Sequence, residues 1–333
     1  MKRFFFVLSF TAFFLSCQGE VNRLSVTAWN VQTFFDGITR GSEYSEFKKS
    51  DWTAEKYSAR LKKLCEALLE INSDVVVLTE VENENVLRDL QNAFPFGKGY
   101  DYGAFGGEKN GVFGIAVLSR FPIVALRTHQ VGFHGVFKEK EPSMRPLTEA
   151  EIVFGENVVT LLACHWKSKS GGEEESRIWR AAQRALLAEV TANLFDDEAF
   201  AAAFSAGDRA VLALGDFNMD FYEFGGEEGF VDFVAGDEFS VFYNPWEEIP
   251  EKGSYFFDGS WEKIDHFFVL DNFSEKVRGQ FGAENFEVRD GETFVTGEGI
   301  PDRYAVFNGR GLSDHLPISV VLRKFDLQTR LQY

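Results

Sequence analysis

The sequence predicts an α/β protein in which two mixed β-sheets pack together with helices outside. Two observations lead there. The order strand, helix, strand, carboxylate occurs twice, once ending at Glu80 and once ending at Asp216. Further apolar strand-like runs stand between and after those two units. The 333 residues hold no Pro- or Ser-rich linker and no short-period repeat, so one large domain or two small ones are expected.

Residues 1–17 read as an address rather than as fold. Lys2 and Arg3 form a basic start, Phe4 to Leu15 a short apolar stretch, and small Ser16 precedes Cys17. The stretch falls short of the roughly 20 apolar residues that a spanning helix needs. Phe14-Leu15-Ser16-Cys17 resembles a bacterial lipobox, in which the Cys becomes the lipidated N-terminus, although Phe14 stands where an aliphatic residue is usual. The expectation is an exported protein held to a membrane by lipid on Cys17, at the cell surface or in the periplasm, or otherwise secreted.

The first unit begins with a strand around Leu24–Asn30. Tyr57, Leu61, Leu64 and Leu68 follow at helical spacing. The buried run Val75-Val76-Val77-Leu78 then leads to Glu80. Three strands are expected next, at Val112–Ser119, Ile123–Thr128 and Leu147–Phe154. The second unit is a strand over Val158–His165, a helix over Glu174–Leu194, and the buried run Val211–Leu214 leading to Asp216. Strands at Ser254–Phe257, Lys263–Leu270 and Leu316–Leu322 complete the chain. The segment Gly279–Gly311 reads as a long loop able to roof a site. Its Phe281, Phe286, Phe294 and Tyr304 are expected either to stack on bases or, preferably, to fill a satellite core.

Charge narrows the function. The chain carries 34 basic and 52 acidic residues, a net charge of -18, so it lacks the global basic footprint of tight nucleic-acid binders. A polyphosphate substrate must be drawn in by a local patch or by bound cations. Beyond Cys17 only Cys65 and Cys164 remain, both in apolar runs, and buried thiols are expected rather than a disulfide framework.

Several strand ends carry residues that bind metal or move protons. Glu80 ends a buried strand and offers a hard oxygen suited to Mg²⁺ or Mn²⁺. Asp216 and Asn218 are two apart and face the same way in extended chain. Asp314 and His315, being adjacent, point in different directions. In the strand after Lys263, Asp265, Phe267 and Val269 share one face while Ile264, His266, Phe268 and Leu270 share the other. His266 thus reads as a core histidine, and Asp265 is free to orient His315. His165 closes its strand beside Lys167 and Lys169, a local positive spot. Arg145 is a weaker phosphate-contact candidate. Arg177, Arg180 and Arg184 read as a solvated helix face, and His129 and His134 belong to no constellation.

Six segments in order, Ala28-Trp29-Asn30, Leu78-Thr79-Glu80-Val81-Glu82-Asn83, Cys164-His165-Trp166-Lys167-Ser168-Lys169, Gly215-Asp216-Phe217-Asn218, Lys263-Ile264-Asp265-His266 and Ser313-Asp314-His315, resemble the endonuclease/exonuclease/phosphatase superfamily, whose members resemble deoxyribonuclease I. The wording is most similar to its secreted bacterial branch. The resemblance covers residues 24–323 and implies a four-layered α/β/β/α sandwich of two mixed sheets. It implies Glu80 as principal metal ligand, assisted by Asn30 and Asp314, with Mg²⁺ or Mn²⁺ as cofactor. It implies Asp216 as general base positioned by Asn218, His315 oriented by Asp265, and phosphate contact by His165 with Lys167 and Arg145 more weakly. Gln32 stands where the family often carries Asp, which removes one metal contact. The expected activity is a divalent-metal-dependent phosphodiester hydrolase, a nuclease on DNA or RNA. A lipid or inositol-phosphate phosphohydrolase and a non-catalytic surface binding protein are the alternatives. No exposed aromatic hairpin is recognisable to support a lipid substrate.

Overall fold

The computed structural model describes residues 22–38, 43–107, 111–132, 144–169, 171–236, 238–249, 252–273 and 277–325. Cys17, the leader and His134 lie outside them. In chain order the elements are β1 (Arg23–Phe34), α1 (Ser45–Lys49), α2 (Ala54–Ile71), β2 (Val75–Val81), α3 (Glu84–Ala93), β3 (Tyr102–Gly106), β4 (Gly114–Ser119), β5 (Ile123–His129), β6 (Leu147–Phe154), β7 (Asn157–His165), α4 (Glu173–Phe195), α5 (Glu198–Ser205), β8 (Arg209–Asp216), β9 (Phe230–Ala235), β10 (Glu238–Tyr243), β11 (Tyr255–Phe257), β12 (Ser260–Glu262), β13 (Asp265–Phe273), β14 (Val277–Arg278), β15 (Phe281–Val288) and β16 (Ile318–Lys324).

The two units found in the sequence form the centres of two sheets. One sheet runs β15-β16-β1-β2-β4-β3, and the other β5-β6-β7-β8-β13-β10-β9 with β14 on β13. In each, the strands of the repeated unit pair in parallel, β1 with β2 and β7 with β8, and the remaining neighbours are antiparallel. A parallel pair needs a long crossover, which α2 supplies in the first unit and α4 with α5 in the second.

Strands covered on both faces read as continuous apolar runs because each face has a partner. In β7, Leu161 and Ala163 enter the core shared with the other sheet, while Leu162 and Cys164 join Leu187 and Val190 of α4. In β13, Phe267 and Val269 face the first core, and Phe268 and Leu270 the second. The layers are therefore helix, sheet, sheet, helix, the predicted four-layered sandwich. Helix α2 starts where the Thr53 side chain accepts the Lys56 amide and stops at Asn72 with φ +55°. Cys65 and Cys164 are buried free thiols.

Three expectations change. The segment 279–311 is no open roof, because its first part is β15, the edge strand beside β16. Phe281, Phe286, Phe294 and Tyr304 are all buried in the main core, against Phe154, Trp246, Trp29 and Arg60 respectively. They neither face a substrate nor form a satellite cluster. The arginine face of α4 is only partly solvated. Arg177 is open, but Arg180 is buried against Glu173 and Ser176, and Arg184 lies over Phe224 and Phe233. An aromatic hairpin, β11–β12, does exist, with Phe257 exposed. Its three-residue strands are too short to reveal an alternation.

Candidate active site

The pairing register gathers the chemistry at one edge. His165, Asp216 and Asp265 are direct neighbours across β7, β8 and β13. In the other sheet Asn30 on β1 pairs with Thr79, the residue before Glu80. The antiparallel entry into β16 brings Ser313-Asp314-His315 to the same edge.

The backbone departs from regular strand here. Gln32, Thr33 and Glu80 all have positive φ (+48°, +51° and +64°), and the ladders beside β2 shift register at Glu80. Such bulges re-aim a side chain and carry strain that the surroundings must hold. The Glu80 carboxylate turns toward Asn30, with Oε1 3.3 Å from Asn30 Nδ2, and its Oε2 accepts the Thr33 amide at 2.6 Å. Asn30 Oδ1 accepts the Gln32 amide at 2.9 Å. Gln32 itself spends both ends of its side-chain amide on the Tyr304 backbone, at 3.2 and 2.9 Å, and turns away from the site.

Arg60 of α2 holds this bulge from behind, a role not read from its place in the helix. Its guanidinium is 1% exposed and donates to the carbonyls of Val31, Gln32 and Thr33. The Tyr304 ring lies 3.8 Å from its central carbon. Burial lowers its pKa to about 10, and among the described residues no carboxylate forms an ion pair with it. A guanidinium that satisfies three carbonyls at once fixes where the next amides point.

Asp216 is 2% exposed. Its Oδ2 accepts Asn30 Nδ2 at 3.0 Å and its Oδ1 accepts the Asn218 backbone amide at 2.9 Å. The chain leaves extended geometry immediately after it, with Asn218 at φ +48°. Asn218 therefore steadies Asp216 through its main chain, in an Asx turn, while its side chain donates to Trp166 O at 3.2 Å. The side chains do not share a face as extended spacing predicted. Burial raises the Asp216 carboxyl above its usual range, and the Asp265 charge adds to this. Gly215 needs its φ of +125°, and a Cβ there would meet Cys164 O at 2.2 Å.

His315 Nδ1 lies 2.7 Å from Asp265 Oδ2, which also accepts from Ser254 Oγ at 2.6 Å. Burial disfavours the imidazolium, but the charge and hydrogen bond of Asp265 outweigh it and raise the pKa, aided by Asp216 and Asp314. His315 is tied down by its main chain, whose carbonyl accepts Trp29 Nε1 and whose amide donates to Ser313 Oγ. His266 is in the core, bonded to Asn244 and Met219 O, and burial lowers its pKa to about 4. Ser254 is a site residue that a lone Ser before a short strand could not announce.

His165 is buried with Nε2 3.5 Å from Asp216 Oδ2 and 3.7 Å from Glu80 Oε1. Burial, then the charges of Arg145 and His315, keep it neutral. Its Nδ1 has no hydrogen-bond partner among the described residues. Beside it lies a cleft of about 200 Å³ walled by Tyr44, Phe113, Met144, Arg145 and Lys167. Arg145 donates to Trp166 O at 3.3 Å and lines the cleft with Tyr44, and Lys167 meets no carboxylate among the described residues. Lys169, expected to join that positive spot, is neutralised by Glu223 and Glu262. Asp314 forms an ion pair with Arg303 at 3.0 Å. Among the described residues, the acidic and imidazole groups that converge within 4.8 Å are Asp216, Asp265 and His315, and Glu80 stands just across Asn30 and His165.

Hard carboxylate and amide oxygens, in excess over the one imidazolium, fit a divalent cation. A neutral imidazole, a buried carboxyl of raised pKa and an oriented His–Asp pair can receive, hold and return protons around an anionic centre.

A family model described as the endonuclease/exonuclease/phosphatase family matches residues 25–324. Solved structures share the fold. A truncated TDP2 of Caenorhabditis elegans is 17% identical at a TM-score of 0.56, covering 90% of this chain and 97% of that one. An endonuclease/exonuclease/phosphatase family protein from Bacteroides thetaiotaomicron is 18% identical at 0.55, over 92% and 96%. TDP2 of D. rerio, complexed with single strand DNA product, is 17% identical at 0.54, over 91% and 99%. No curated protein is similar enough in sequence to count as a relative.

Proposed function

The chain belongs to the endonuclease/exonuclease/phosphatase family, whose members hydrolyse phosphoester bonds on a fold that generally uses a divalent metal, and from that premise we propose that it is a metal-dependent phosphodiesterase cleaving DNA or RNA. The observation that carries the reading is the His315–Asp265 pair at 2.7 Å beside buried Asp216, in one row of ligand atoms.

In this reading Glu80 and Asn30 hold Mg²⁺ or Mn²⁺, with Asp314 nearby. The bound cation supplies Lewis-acid stabilisation of the phosphate oxygens. Asp216 takes the proton of the attacking water, held in place by Asn30 and the Asn218 amide. As the water oxygen bonds to phosphorus, the bond to the leaving oxygen breaks, and His315, kept protonated by Asp265, stabilises the developing charge and gives that oxygen its proton. His165 donates to the same phosphate as a neutral imidazole. Lys167 and Arg145 attract the next anionic group into the cleft. That a TDP2 of this fold was captured with a single strand DNA product supports nucleic acid over lipid or inositol phosphate. Purified protein assayed on plasmid DNA, RNA, sphingomyelin and inositol phosphates, with and without Mg²⁺, tests the reading. Metal-dependent cleavage of DNA or RNA is expected, and turnover of lipid or inositol phosphate alone overturns it.

We also propose that the protein is exported and lipid-anchored through Cys17. Cys17→Ser should move it from the membrane to the soluble fraction of a bacterial host. Wild-type protein with a free N-terminus near Val21 refutes this.

A further inference from the structure

The β11–β12 hairpin begins at the proposed phosphate site and ends in solvent. Tyr255 is joined to His315 by an antiparallel backbone bridge, and its ring lies 4.6 Å from the imidazole, centroid to centroid. Phe257, two residues on and hence on the same strand face, lies parallel to Tyr255 within 10° at 6.2 Å. It is 58% exposed. Its cross-strand partner is Ser260, too small to cover a ring.

The hairpin is braced by its turn and by one of its faces. Asp258 and Gly259 form its two-residue turn with φ +47° and +81°, the Asp-Gly arrangement that matches strand twist. Its opposite face is fastened by Phe256 against Trp261, which packs on the main core. Arg303 forms an ion pair with Asp314 at 3.0 Å, and the charges of both reach the Tyr255 hydroxyl. The result is a fixed row of rings, His315, Tyr255, Phe257, whose last member shows its face to water.

Resting on the reading that the scissile group is a phosphodiester, we infer that Phe257 is a stacking subsite for an unpaired nucleobase of the strand whose phosphate contacts His315. An exposed π-face continuous with the site accepts any base and favours a strand whose bases are not already stacked in a duplex. A membrane is the weaker occupant. The turn residues at the tip are Asp258 and Gly259, so the outermost side chain is an acid rather than an apolar wedge.

The test uses the purified protein with Mn²⁺ and two short single strands of equal length, oligo-dT and its abasic tetrahydrofuran counterpart. The wild type should prefer oligo-dT. That preference, as a ratio of kcat/KM values, should fall about ten-fold in Phe257→Ala through KM, and be retained in Phe257→Trp. An unchanged preference in Phe257→Ala overturns the inference while leaving the phosphodiesterase reading intact. A 2-aminopurine strand gives a readout without turnover. Its quenching on binding should persist in Phe257→Trp and be lost in Phe257→Ala. Quenching without cleavage of any strand would keep the subsite and refute the enzymatic reading. Loss of phosphatidylcholine-vesicle binding in Phe257→Ala, with strand binding unchanged, would make the hairpin a membrane contact and refute the subsite.

Discussion

The unit β1–α2–β2 delivers Glu80 and the unit β7–α4–β8 delivers Asp216, each beside a central parallel pair and at the same edge of the molecule. They present those carboxylates differently. Glu80 sits on a bulge at φ +64°, its side chain 17% exposed, with one oxygen held by the Thr33 amide. Asp216 stays flush in the ladder between His165 and Asp265, 2% exposed, where burial raises its pKa. A repeated topology places two acids, and backbone detail sorts them. In the proposed mechanism the bulged one, turned outward, is the hard ligand, and the flush one, kept in low dielectric, is the base.

Isosteric amides should separate the two acids most clearly. In Asp216→Asn, turnover of a cleaved phosphodiester should fall about 10²–10⁴-fold with Mn²⁺ affinity little changed. In Glu80→Gln, Mn²⁺ affinity by calorimetry should fall about ten-fold or more, and activity with it. Loss of metal affinity in Asp216→Asn but not in Glu80→Gln would invert the assignment.

Asp265→Asn and His315→Ala should each lower kcat by about two orders of magnitude, and the double variant by little more than the worse of them. Full additivity at saturating substrate would separate Asp265 from His315.

Much of this was legible in the chain. The two strand–helix–strand units announced themselves because parallel strands covered on both faces are apolar throughout, as Val75–Leu78 and Val211–Leu214 are. Alternation in β13 was enough to send His266 to the core and Asp265 toward His315. What escaped depends on backbone departures or on distant partners. Asn218 turns at φ +48°, which period-two reasoning cannot register. Lys169 reads as a free cation until Glu223 and Glu262, far along the chain, arrive beside it. Arg60 lies within the buried stripe of α2, three residues after Tyr57 and four before Leu64, but its place in the helix does not say that the β1 carbonyls are its partners. Phe281 and Phe286 could not be assigned to the main core because their edge strand, broken by a register shift between Glu284 and Glu287, shows no clean alternation, and Phe294 and Tyr304 lie beyond it in no regular strand.

Arg60 separates the bulged ligand from the flush base at smaller amplitude. Arg60→Met keeps length and burial but leaves the carbonyls of Val31, Gln32 and Thr33 without their donor, at about 1–3 kcal/mol for an unsatisfied buried group. With the Thr33 amide no longer aimed at Glu80, Mn²⁺ affinity should fall several-fold, by roughly 1 kcal/mol or less. Thermal unfolding and metal calorimetry on the same variant distinguish two roles. A lower Tm with unchanged metal affinity would make Arg60 a purely structural residue.

The smallest effect is the pH dependence of stabilisation by metal. Burial, then the Asp265 charge, raises the folded pKa of Asp216 above its unfolded value. From about pH 4 upward the unfolded chain therefore sheds a proton that the fold retains, and this group costs stability until the folded carboxyl also ionises. For His315, burial works against the charge, but Asp265 raises the folded pKa. Its contribution is complete below about pH 6.5 and is lost as pH rises through the raised folded value. Both groups leave the metal-free site less stable at alkaline than at weakly acidic pH. A cation that binds only the folded state offsets the anionic crowding, so its benefit grows in the same direction. The rise in Tm on adding saturating Mg²⁺ should exceed that at about pH 5.5 by roughly 2 °C when measured at about pH 8. Asp216→Asn removes the titrating anion and should flatten this difference while preserving the rise itself, because Glu80 still holds the ion. A pH-dependent rise that survives unchanged in Asp216→Asn would assign the titration to the bulged side of the site rather than to the flush one.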